Sequence, residues 1–164
     1  MNMKLSNSLI NISKVFTSGP KKWLIKFNPD KTEIMTISKK KHHKPHHPLV
    51  YIDNVIIKEV ETHKHLGLTI SEDGNWNEHV KNIMIKVSFR LSVFRRVKFK
   101  LKRSHLQTIY ISFIRPLMEY GDIVWDNITD YLKQSLESLQ LEAARIVTGA
   151  TTLTSRQLLY DKTG

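Results

Sequence analysis

The sequence predicts an α+β fold, a short antiparallel sheet followed by a three-helix bundle, with the change of class near Asp73. Three observations predict it. Runs rich in β-branched residues, separated by turn dipeptides, occupy residues 31–70. From Val80 onward the apolar residues recur at i, i+3, i+4 and i+7, the period of an amphipathic helix. Capping signatures at Asn75 and Ser104 and a glycine at 149 then divide that helical stretch into three. Residues 1–73 are accordingly expected to carry the sheet and residues 74–164 the helices.

Taken in order, Leu5, Leu9, Ile12, Val15 and Phe16 recur at helical spacing and suggest an amphipathic first helix lying on a core. Gly19-Pro20 ends it, and Trp23, Leu24, Ile25 and Phe27 form an apolar group before the Asn28-Pro29-Asp30 turn signal. Lys31 to Ser38 alternates as a strand, whereas the following lysines, histidines and prolines to residue 48 cannot pack a core and read as a loop. Leu49–Ile52 and Val55–Val60 flank Asp53-Asn54, a hairpin signal. His65–Ile70 reads as a further strand with Gly67 in its interior, a position that marks a bulge or a close backbone approach.

Asp73-Gly74 turns the chain out of the sheet, and Asn75 with Glu78 three residues on predicts a capped helix to about Val97. Val80, Ile83, Met84, Val87, Leu91 and Phe94 make one apolar face, while Ile85, Phe89 and Val93 fall opposite, so the helix is expected to be sandwiched. Ser104 and Gln107 open a second helix with Leu106, Ile109, Tyr110, Phe113, Ile114 and Leu117 inward, and Pro116 is expected to kink or end it. A third helix is expected over residues 129–148, with Leu132, Leu136, Leu139, Ala143 and Ile146 on one stripe and Gly149 as its C-terminal stop. A new apolar pattern starts at Leu158, and neither terminus coincides with a stopping signal, so both ends are expected to be cut from something longer.

With 40% hydrophobic and 25% charged residues among 164, the composition is that of a globular domain rather than a disordered or membrane chain. The absence of cysteine excludes disulfides, thiolate metal sites and cysteine nucleophiles, and favours an intracellular address, nuclear or cytoplasmic. Residues 1–29 lack acids and mimic a transit peptide but contain no arginine, and no apolar run approaches the length of a signal or a membrane span. Neither secretion nor a membrane partner is expected.

The net charge of +11 asks for a polyanionic partner, and its distribution is uneven. Between Glu78 and Glu119 there is no acid. That interval holds Lys81, Lys86, Arg90, Arg95, Arg96, Lys98, Lys100, Lys102, Arg103 and Arg115, ten of the 26 basic residues, leaving 16 against 15 acids elsewhere. A solvated helix face ordinarily mixes Glu with Lys, because opposite charges four residues apart stabilise the helix. Without those partners the interval reads as a binder of nucleic-acid phosphate.

Three other groups of residues carry weaker readings. His42, His43, His46 and His47 have imidazole spacing suited to a transition metal, but Pro45 and Pro48 leave no shell to orient the rings, and a basic loop is the alternative. Glu119, Asp122 and Asp126 are spaced for a divalent ion, or for the edge of a packed turn around Tyr120 and Trp125. Asn127-Ile128-Thr129 is a glycosylation sequon without a secretory context. No resident metal or cofactor is expected from these.

Four segments in order, WLIKFNPDKTEIM (23–35), THKHLGLTISEDGNWNEHV (62–80), IYISFIRPLMEYGDIVW (109–125) and LESLQLEAARIVTG (136–149), resemble the C-terminal palm and thumb of reverse transcriptases from jockey-like non-LTR retrotransposons. The resemblance implies that residues 1–73 end a polymerase palm and that residues 74–164 form the thumb. Asn28 to Thr32 resemble motif D, which would make Lys31 the acid that protonates the leaving pyrophosphate; on its residues alone, Lys31 is a strand-edge lysine. His65-Leu66-Gly67 resembles motif E, the primer grip, where a glycine in a tight hairpin admits the primer's terminal phosphates. The thumb helices would lie along an RNA–DNA hybrid.

The catalytic aspartates of motifs A and C are not among these residues, and no Asp-Asp pair occurs in the sequence. By this resemblance the chain grips primer-template but does not polymerise alone, and Mg²⁺ belongs only to the complete enzyme, with the missing fingers and palm as partners. Two alternatives remain: a non-enzymatic nucleic-acid-binding protein derived from such an element, and a protein-interaction bundle using the second apolar face of residues 77–97.

Overall fold

A computed structural model of the chain describes residues 10–11, 27–38 and 49–163. The expected first helix, save for two residues, the group around Trp23 and the histidine-rich loop lie outside the described residues. The chain divides into two compact units, Met1–Gly74 and Asn75–Gly164. The class is α+β.

The first unit contains β1 (Ile10–Asn11), β2 (Glu33–Ile34), β3 (Val50–Ile52), β4 (Val55–Ile56), β5 (Lys58–Glu59), β6 (Thr62–His65) and β7 (Leu68–Ser71). They form three small sheets rather than one: β1-β3-β4, β2-β5 and β6-β7. The β3–β4 and β6–β7 pairs are antiparallel, as expected, but β1 pairs with β3 and β2 with β5 in parallel. Ile10 stands opposite Val50, so at residues 10–11 a strand replaces the expected helix. Periodicity alone does not reveal such a pairing, because the partner is 40 positions away.

Asp53 and Asn54 both take positive φ, 48° and 66°, which matches the type I′ turn their side chains favour. The expected strand over Lys31–Ser38 shrinks to Glu33–Ile34. Its first residues are drawn into a 3₁₀ turn, Pro29–Lys31, because Asn28 Oδ1 accepts from the Asp30 amide at 2.9 Å and the Thr32 hydroxyl donates to the Asn28 carbonyl at 2.8 Å. Local polar bonds thus outcompete the sheet. Val50, Ile52 and Ile57 form the core of this unit, with Ile34 packed against them.

The second unit comprises α1 (Asn77–Val97), α2 (Arg103–Ile109), a π-helical segment (Tyr110–Ile114), α3 (Arg115–Glu119), α4 (Asp122–Trp125), α5 (Asp130–Thr148) and α6 (Arg156–Thr163). There are thus more helices than the three expected. α1 begins two residues later than its capping signature, although Asn75 Oδ1 still accepts from the Asn77 amide at 3.0 Å. α2 begins at Arg103, which leaves Ser104 inside the helix with its carbonyl accepting from the Thr108 hydroxyl.

Pro116 explains the π segment. It has no N–H for the Ser112 carbonyl and its ring would strike that carbonyl. The chain widens instead, with the Arg115 amide donating to the Tyr110 carbonyl five residues back, and α3 restarts with Pro116 in its first turn. Leu106, Tyr110, Ile114 and Met118 are buried at intervals of four, while Phe113, expected inward, is exposed.

α5 follows the sequence expectation closely: Thr129 precedes it and Gly149 ends it in the left-handed region at φ 69°, its amide donating to the Arg145 carbonyl. Its C-terminal half is buried on more than one side, since α1 and α2 pack on it and α6 adds Leu159 against Leu141 and Ala144. The Tyr160 hydroxyl donates to Glu137 at 2.6 Å, and burial followed by that carboxylate pushes the phenol up, so it stays protonated.

His79 is buried between Trp76 and Trp125, with both rings edge-on at about 6 Å. Burial and, after it, Lys86 push its pKa below 6.5. The unfolded chain therefore binds a proton more readily than the folded one, so this contribution to stability is complete above 6.5 and is lost as pH falls toward the folded value. Thermal melts between about pH 7.5 and 5.5 are expected to show the midpoint falling, and His79→Phe, which keeps the aromatic contacts, should flatten that fall. An unchanged slope would assign the loss to other histidines.

Candidate nucleic-acid interface

The cations of the acid-free interval fall into two groups. At 100° per residue Lys81 and Lys86 lie about 140° apart on α1, so they do not share a face, whereas Lys86 and Arg90 share an edge. Arg90 is engaged: its guanidinium donates to the Phe113 carbonyl and lies 4.4 Å from that ring's centroid. The denser group runs from the last turn of α1 through the connection into α2 and contains Arg95, Arg96, Lys98, Lys100, Lys102 and Arg103. All are exposed except Lys98, which is half-buried. Arg95 is ion-paired with Glu142 of α5, while no carboxylate among the described residues pairs with the other five. The clustering at residues 95–103 is already present in the sequence order, and the structure places it at the C-terminal end of α1 and the connection to α2.

Ile85, Phe89 and Val93, expected to be covered, are exposed in the second unit. Among the described residues of this unit, none sandwiches the helix. Phe89, Val93 and Phe113 instead line an apolar groove of about 470 Å³ along α1 and the π segment.

Lys31 ends the 3₁₀ turn and is exposed, and thus is not at a strand edge. His65 closes β6, and Leu66 and Gly67 form the two-residue turn into β7, at φ 47° and 85°. Gly67 is thus at a hairpin tip and not inside a strand. Leu66 is also held in the left-handed region, which a branched side chain adopts rarely. The hairpin is joined to β2 through His63 Nδ1 and Glu33 Oε2, 2.8 Å apart.

The carboxylates Glu119, Asp122 and Asp126 do not converge. Arg115 donates to Glu119, Asp122 caps the Ile123 amide, and Asp126 lies 3.5 Å from Lys133 Nζ. Among the described residues no three His, Asp or Glu side chains gather into a metal site. None of the described helices is long and apolar enough to cross a membrane.

Over 137 residues the sequence is 24% identical to the probable RNA-directed DNA polymerase from transposon X-element of Drosophila melanogaster. The chain is related to a transposon reverse transcriptase. The match covers 82% of this chain but only 15% of the relative's length. No family model and no solved structure matches the chain.

Sequence reasoning missed Arg145 and Phe99. Arg145 lies on α5, with its Nε buried and without a hydrogen-bond partner among the described residues. Phe99 follows the last turn of α1 with 86% of its surface exposed. No local pattern marks either residue, because helix packing alone places them beside one cleft.

Proposed function

We propose that the chain is the primer-template-gripping portion of a reverse transcriptase, with the first unit as the end of the palm and the second as the thumb. The observation that supports this best is the cluster of cations at residues 96–103, all but Lys98 exposed and unaccompanied by acids, in a chain similar to a transposon polymerase. Lysine and arginine without carboxylate partners release counterions when they meet phosphate, which is how nucleic acids are held irrespective of sequence. In this reading the Leu66-Gly67 turn lies against the primer terminus with His65 beside it, and Lys31 donates a proton to pyrophosphate in the complete enzyme. The sequence has no Asp-Asp pair, so no polymerisation step is assigned to these residues alone.

Replacing Arg95, Arg96 and Lys98 together with Ala is expected to weaken RNA–DNA hybrid binding about equally for unrelated sequences. It should also lower the slope of log affinity against log salt by about two. Arg95 contributes less than its neighbours because Glu142 already neutralises it. Fluorescence anisotropy over a salt series measures both quantities, and an unchanged slope would remove this end of the helix from the interface.

A further inference from the structure

A cleft of about 540 Å³ opens where the C-terminal end of α1, the start of α2 and the last turn of α5 meet. Lys98, Arg103 and Arg145 supply cations along its lining, and its one acid, Glu142, is neutralised by Arg95. Leu106 and Ile146, both buried, supply apolar lining, and Phe99 adds an exposed ring. Lys98 Nζ stands 4.7 Å from that ring's centroid, so a positive charge and an aromatic surface are presented together.

Resting on the nucleic-acid reading above, we propose that this cleft receives one unpaired nucleotide of the bound strand, its base stacked on Phe99 and its phosphate held by Lys98 and Arg103. A double helix is too wide for a cavity of this size, whereas a base with its sugar phosphate is within the range such cavities hold. A purely anionic ligand would leave the apolar lining and the Phe99 ring unused, and a purely apolar one would leave three cations dehydrated.

The base is held chiefly by stacking on Phe99. The Thr148 hydroxyl donates to the Ala144 carbonyl and accepts from the Ala150 amide, and the Gly149 amide donates to the Arg145 carbonyl. The Thr148 hydroxyl and the Gly149 amide are thereby occupied within the helix end, and stacking on Phe99 is tolerant of sequence.

Fluorescence anisotropy with the full chain at fixed low salt tests this, comparing a blunt RNA–DNA hybrid with the same hybrid extended by a few unpaired nucleotides. The extension is expected to tighten binding about ten-fold. Phe99→Ala should bring the ratio of the two affinities close to one, and Phe99→Trp should restore it, because stacking needs a ring and nothing else of the side chain. Equal affinities of the natural chain for blunt and extended hybrids would overturn the cleft assignment while leaving the interface standing. So would a Phe99→Ala loss that falls equally on both probes. Failure to bind either probe would overturn the interface reading and the cleft with it.

Discussion

Phe94→Ala is expected to lower the unfolding free energy of the helical unit by about 3–5 kcal/mol. Phe94 is 2% exposed on the face of α1 that also buries Val80, Val87 and Leu91. Truncation removes the transfer energy of the ring and leaves a cavity that a rigid helix cannot close. Against a total stability of about 5–15 kcal/mol for a domain, that loss leaves the unit marginal. Phe89→Ala is the matched control, because Phe89 is 71% exposed on the opposite side of the same helix and should change stability by no more than about 0.5 kcal/mol. Urea unfolding of both variants measures the contrast. A large loss at Phe89 would mean that the second apolar face is covered in solution.

Raising salt from about 50 to 200 mM should weaken binding to an RNA–DNA hybrid about a thousand-fold, the effect expected when around six phosphates are neutralised. Lys81, Lys86, Arg96, Lys98, Lys100, Lys102 and Arg103 have no carboxylate partner among the described residues, so their charges are available for phosphate. Arg90 and Arg95 are spent on Phe113 and Glu142. Docking through the apolar groove beside Phe89 and Phe113 would instead respond little to salt, because burial of apolar surface carries no counterion term. A flat salt dependence would therefore favour a protein partner over a nucleic acid.

Much of the helical unit was legible locally. Thr129 and Gly149 bracket α5 because an extended residue before a helix and a left-handed glycine after it are properties of a few adjacent residues. The core stripe of α1 follows from the same short-range rules, whereas Pro116 signals only a kink or an end, and the structure shows a π segment before it. The sheet unit was less legible. The alternation over Lys31–Ser38 suggested a strand, yet Asn28 and Thr32 offered the backbone nearer partners. Gly67 read as an interior strand residue because two four-residue strands joined by a two-residue turn look like one run when the turn begins with Leu66. The hairpin turn at Asp53-Asn54 is legible because both residues are turn formers.

By itself the sequence determined the α+β class, the acid-free basic interval and the similarity to a transposon RNA-directed DNA polymerase. Each depends on residue type and order along the chain. Only tertiary structure decided which charges remain available. Glu142 is 47 residues from Arg95 and the Phe113 carbonyl 23 from Arg90, so neither pairing is visible in local spacing. It also decided that the second face of α1 is exposed and that Arg145 and Phe99 line one cleft. The physical reason is that periodicity reports which residues share a side of an element, whereas what lies against that side depends on helices and strands brought together from distant parts of the chain.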